Sequence, residues 1–118
     1  MNRRSRTWGL EIATERVDGG IVLVAKGRIG SVTASTLADA VNGALAAAPR
    51  LIIDLTDVDY ISGAGVRVLQ QAAATDGTRT ILCGLHDAVR VTLALVARDR
   101  FEVVKDRREA IESLIANH

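Results

Sequence analysis

The chain has 118 residues, enough for one ordinary domain with a core of its own. Apolar residues make up 48% and charged residues 25%, which excludes a disordered chain, and the longest apolar runs, such as Ile21 to Ala25, are too short to cross a bilayer as a helix. Fifteen Lys and Arg against fourteen Asp and Glu leave a net charge of +1, which argues against a nucleic-acid partner, and one cysteine with two histidines (Cys83, His86, His118) leaves little for a disulfide framework or a zinc site.

The opening Met1-Asn2-Arg3-Arg4-Ser5-Arg6 is basic and reads as a flexible N-terminus over residues 1–9. No apolar stretch of signal-peptide length follows it, so secretion is not expected and the chain reads as cytoplasmic. From Leu10 to Ala13 apolar and polar residues alternate, as in a strand with one wet face; Asp18-Gly19-Gly20 signals a turn, and Ile21 to Ala25 reads as a buried strand closing a hairpin. Leu37, Val41 and Leu45 recur every fourth residue between Thr33 and Ala48, which predicts a helix that Pro49 stops. Leu51-Ile52-Ile53 is a short buried strand, followed by a loop and a helix from Gly65 to Ala74 with Val66, Leu69 and Ala73 on one face. Asp76-Gly77 ends that helix, Thr80 to Cys83 is the next strand, and Val89, Leu93 and Val96 mark a third helix. Phe101, Val103 and Val104 form a last short strand. Asp106 and Glu109 have the spacing of a capping box at the head of a final helix through Ile111, Leu114 and Ile115.

Strands alternating with helices predict an α/β domain over residues 10–117: a mostly parallel sheet of about five strands, an antiparallel outer first strand and four flanking helices. In such sheets partners meet the carboxyl ends of strands and the helix starts beside them. Those places here are Arg28-Ile29-Gly30-Ser31, Asp54 to Gly65, and Gly84-Leu85-His86-Asp87. In the middle stretch Tyr60 and Ile61 read as buried anchors, Ser62 as a helix N-cap, and Gly63 and Gly65 as points of close approach. A dinucleotide fingerprint is not supported, because Val68 stands at its third glycine position. Asp54, Asp57 and Asp59 read as a solvated turn: a phospho-acceptor cluster needs acidic partners after the first buried strand, where Lys26, Gly27 and Arg28 stand. His118 is terminal, His86 reads as a cap or surface residue, Cys83 as a small core residue, and no nucleophilic triad is evident. No enzyme activity, cofactor or metal is therefore expected.

The stretch Asp54-Leu55-Thr56-Asp57-Val58-Asp59-Tyr60-Ile61-Ser62-Gly63-Ala64-Gly65-Val66 resembles the signature of the STAS family, found in bacterial anti-sigma factor antagonists and in sulfate-transporter tails. Gly27-Arg28-Ile29 before Thr33 to Leu37, and Leu82-Cys83-Gly84-Leu85 before the third helix, are similar to the family's flanking elements, so the resemblance spans roughly residues 10 to 115. It implies a protein-binding regulator, a monomer or weak dimer, that docks on an anti-sigma factor with a kinase-like ATPase fold. The implied contact surface is Ser62, Gly63, Ala64 and Arg67 with Arg28, Gly30, Ser31 and His86. The alternative it implies is a regulatory subunit of a membrane anion or lipid transporter, touching the membrane only through that transporter.

In the family, phosphorylation of a serine just before the Ser/Thr/Ala-Gly pair stops docking by adding about two negative charges. That position here is Gly63, which has no hydroxyl, and the acidic residues common nearby are replaced by Ser62 and Gly30. The usual switch is therefore not expected. Ser62 as a displaced acceptor is disfavoured against its role as a cap, because one residue along a helix start turns a side chain by about 100°.

Overall fold

The structure, a computed structural model, describes residues 3–7, 9–96 and 101–116; the reading of His118 lies outside them. Where the basic composition predicts a flexible N-terminus, Arg3–Thr7 instead form a strand, β1, antiparallel to β2 (Leu10–Val17). Gly9, at φ +84°, supplies the reversal between them, and pairing satisfies backbone groups that β2 would otherwise leave bare at the sheet edge. β2 and β3 (Gly20–Ile29) make the expected hairpin, Val17 opposite Gly20, with Gly19 at φ +90° in the turn.

Helix α1 (Ala34–Ala47) ends where Ala48 goes extended ahead of Pro49. β4 (Arg50–Ile61), α2 (Gly63–Ala74), β5 (Arg79–Cys83), α3 (Asp87–Val96), β6 (Glu102–Val104) and α4 (Arg107–Ala116) complete the chain. The sheet runs β1-β2-β3-β4-β5-β6, antiparallel as far as β3 and parallel from there on. All five expected strands are present, with β1 added as a sixth outside them.

The largest departure from the sequence reading is β4. The expected short strand and aspartate turn are one strand of 12 residues. Its pairing with β3 shifts register twice, between Val24↔Asp54 and Lys26↔Asp57 and again between Gly27↔Val58 and Arg28↔Tyr60. Each shift inserts one extra residue into β4, so its inward side chains Leu55, Val58 and Ile61 fall three apart. A strand with this spacing shows no alternation of period two, and its aspartates look like a loop. β5 accompanies β4 only from Arg50 to Asp54; beyond that, β3 and β4 continue together to their shared end.

Both faces of the central strands are buried, which is why β3 and β4 open as continuous apolar runs. On one face Leu23, Ile53 and Leu82 meet Leu37, Leu69 and Leu93 of α1, α2 and α3. On the other, Val22, Ile52, Ile81 and Cys83 meet Ala110 and Leu114 of α4, with Ile111 partly buried against them. Val96 and Ile115, read as part of buried stripes, are 47% and 45% exposed. Asp106 Oδ1 caps α4 by accepting from the Glu109 amide at 2.9 Å. At its far end Arg50 donates to the Leu114 carbonyl and Arg79 to that of Ser113, so cations sit where the helix dipole is negative.

Cys83 is fully buried, and loss of hydration, with Asp54 and Asp106 nearby, pushes its thiol up to about 12. The thiolate is the reactive form, so at pH 8 the native protein should leave a disulfide reagent unreacted. In urea the same reagent should titrate one thiol.

Candidate functional site

The carboxyl ends of β3 and β4 lie side by side, Ile29 opposite Ile61, and the chain leaves them in two directions. After β3 it runs through Gly30, Ser31 and Val32 into α1; after β4 it turns at Ser62 into α2. The Ser62 amide donates to the Ile29 carbonyl at 2.8 Å and locks the two exits together. Ser62 is extended (φ −85°, ψ 168°), and its hydroxyl oxygen accepts from the Gly65 amide at 3.2 Å, the N-cap expected from sequence. α2 starts at Gly63, two residues before the predicted start.

The two glycines of this turn have different tasks. A β-carbon on Gly65 would lie 2.6 Å from Ile29 Cγ2 and 2.8 Å from Ile61 Cγ1, so glycine there seats α2 on both strand ends. Gly63 meets nothing within 4 Å and faces open space, so the close approach expected of both glycines belongs to Gly65 alone.

The loop after β3 is held by Thr33, which is buried and which the sequence reading did not single out. Its hydroxyl oxygen accepts from the Gly30 amide at 2.8 Å, and the hydroxyl donates to the Arg28 carbonyl at 3.2 Å. A threonine directly ahead of a helix resembles a cap, but here it makes no cap bond and faces back into the loop. Tyr60 is a second correction. Read as a buried anchor, it is 42% exposed, because Ile61 takes the inward position beside it. The Arg28 guanidinium lies over its ring, 4.4 Å from the centroid. Val32, 69% exposed, adds an apolar spot to the adjoining loop.

Of the residues expected at the contact surface, Arg28, Gly30, Ser31, Ser62 and Gly63 are brought together by this junction. Ala64 and Arg67 follow on the first turns of α2, with Arg67 exposed. His86 stands apart: its ring Nε2 donates to the carbonyl of Thr56, six residues before Ser62 on β4. The aspartates are also resolved differently from the turn expected. Asp54 accepts from the amide and hydroxyl of Thr56 at 3.0 and 2.6 Å, whereas Asp57 and Asp59 are exposed on the strand, with Asp57 opposite Lys26.

Removing the cap tests this geometry. Ser62→Ala should cost about 1 kcal/mol in urea unfolding, whereas Ser62→Asp, which can still cap, should stay within about 0.5 kcal/mol of the wild type. Equal losses in both would mean that the hydroxyl does not serve the helix start.

The chain is thus an α/β domain that presents an exposed helix start at the shared end of its two longest strands. The family model of the STAS domain matches residues 11–111, and the chain belongs to that family. No curated protein matches the chain significantly. Among solved structures, an anti-sigma factor antagonist from Mycobacterium paratuberculosis superposes with a TM-score of 0.82 at 24% identity, over 90% of this chain and 94% of that one. The anti-sigma factor antagonist SpoIIAA is similar in its unphosphorylated form (TM-score 0.73, 16% identity, 91% of this chain and 98% of that one). It is also similar in its phosphorylated form (0.68, 15%, 87% and 98%). The murine anion transporter Slc26a9 contains a similar domain (0.71, 16%), which covers 87% of this chain but 19% of the transporter. At these identities the likeness shows the fold. Among the described residues, no helix is long and apolar enough to cross a membrane.

Proposed function

We propose that this STAS domain acts in the bacterial cytoplasm by docking on an anti-sigma factor of kinase-like fold, and that phosphorylation at residue 63 does not switch this docking. The observation that carries the reading is Gly63 itself. It occupies the exposed first turn of α2, at the position where the family's motif places the acceptor serine, and it has no hydroxyl. The neighbouring hydroxyl, that of Ser62, is engaged in capping. SpoIIAA, of the same fold, exists in a phosphorylated form, so the fold as such accommodates the modification. What differs here is the side chain available to receive it.

The junction suits protein binding rather than catalysis. Tyrosine and arginine are enriched among the residues that carry binding energy at interfaces, and Arg28 over the half-exposed Tyr60 stands beside the helix start. Arg67, one turn along α2, offers a second guanidinium to a partner carboxylate. Gly30 and Ser31, held by Thr33, form the adjoining rim.

Affinity copurification from the native host, followed by mass spectrometry, tests the partner. Recovery of an anti-sigma factor with a kinase-like ATPase domain is expected. Recovery of a membrane permease in its place, or of no such ATPase under conditions that retain known complexes, would refute the reading.

A further inference from the structure

A second cluster of polar groups lies away from the docking surface, at the carboxyl ends of β5 and β6. Helices α1, α2 and α3 all pack on one face of the sheet, whereas α4, which follows β6, packs on the other. The segments leaving β5 and β6 therefore diverge to opposite faces, and a crevice opens between them. In open α/β sheets ligands bind outside the carboxyl ends of the strands, which is where this crevice lies.

Here the crevice is an open groove of about 560 Å³, within the size range of small-molecule sites. Its wall is fixed by three local contacts. Gly84, at φ +73°, sits so close to β4 that a β-carbon would meet Thr56 Oγ1; its amide donates to the Lys105 carbonyl at 3.2 Å; and His86 holds the Thr56 carbonyl. Leu85, Val103 and Val104 supply an apolar side, with Val103 38% exposed. Arg90 and Lys105 line the same groove, and neither has an ion-pair or hydrogen-bond partner for its side chain among the described residues. The carboxylate lining it is Glu109.

We infer that this groove binds a small organic monophosphate, with the phosphate between Arg90 and Lys105 and the apolar body against Leu85, Val103 and Val104. A guanidinium fork and an ammonium point charge together match a phosphate's oxygens in geometry and charge. Two cations against one carboxylate suit a single phosphate better than an extended polyphosphate. The site stands independently of the docking surface, since it uses none of residues 28–33 or 60–67.

Phenyl phosphate, titrated into the nitrogen-15-labelled protein at low ionic strength, is the test, with benzyl alcohol and inorganic phosphate as comparisons. Saturable amide shifts confined to residues 84–90 and 103–109 are expected, with benzyl alcohol inactive and inorganic phosphate weaker than phenyl phosphate. Arg90→Gln combined with Lys105→Gln should weaken binding about tenfold or more. Both side chains are exposed, so the variant's spectrum elsewhere should stay native. No saturation up to about 10 mM, undiminished binding by the double variant, or inorganic phosphate binding as tightly as phenyl phosphate would overturn the proposal. Shifts at residues 28–33 and 60–67 instead would overturn it too, by moving the phosphate to the docking surface.

Discussion

Replacing Gly27 by alanine should lower the unfolding free energy by about 3 kcal/mol, and with it the melting temperature by about 10 °C. Gly27 adopts φ +112°, a conformation costly for any residue with a β-carbon. That carbon would also lie 1.9 Å from the Gly9 carbonyl oxygen, a backbone atom with little room to withdraw, because it accepts the Arg28 amide at 3.2 Å. Strain and collision therefore act together at the second register shift, where β3 aims Arg28 at Tyr60. Gly63→Ala is the matched control, since it adds the same methyl group in open space at a helix start and should change stability by less than about 1 kcal/mol. Urea denaturation followed by circular dichroism separates the two. Equal stabilities would show that β3 does not need its glycine.

Introducing a charge on the docking surface should separate binding from stability. Gly63→Asp is expected to weaken partner affinity by about 10- to 100-fold if the proposed surface meets partner carboxylates through Arg28 and Arg67, because the added carboxylate would then be desolvated against like charge. The same substitution should leave the melting temperature unchanged or slightly raised. There is space for the side chain, and a negative charge at a helix N-terminus contributes about 0.3–1 kcal/mol. Calorimetry with the captured anti-sigma factor, beside a thermal melt, reads both quantities. Unchanged affinity would place the interface elsewhere; a parallel fall in both would mean that the turn does not tolerate a side chain.

How far the fold and the site could be read in advance follows from where the chain obeys simple periods. The hairpin, α1 with its stop at Pro49, the caps at Ser62 and Asp106, and the element order all rest on local signals, and these are realised. Three features do not announce themselves locally. β1 carries three arginines in five residues, which resembles a solvated tail, and its pairing depends on the open edge of β2 and on the turn at Gly9. The second half of β4 hides behind two register shifts, which turn Leu55, Val58 and Ile61 into a spacing of three and make Asp57 and Asp59 look like a turn. Tyr60 departs from the expected buried anchor for the same reason: the second shift leaves Ile61 facing the core and Tyr60 facing out, where Arg28 lies over its ring. Within the site, Ser62, Gly63, Arg28 and Gly30 come together as the motif implied. Thr33 carries no local signal because its hydroxyl serves the preceding loop rather than the helix it precedes, and His86 lies beside Thr56 rather than at the Ser62 turn because strand ends in sequence need not end at the same height in the sheet.

The most direct test is to measure the affinity of the wild-type protein for the proposed partner, an anti-sigma factor of kinase-like fold, before and after incubation of the two with magnesium ATP, and to map any phosphate by mass spectrometry. Unchanged affinity with no phosphate on residues 62 or 63 is expected, whereas Gly63→Ser, treated in the same way, should gain a phosphoryl group there and lose binding. A wild-type protein that is phosphorylated on Ser62 and released by its partner would contradict the absence of a switch at this helix start.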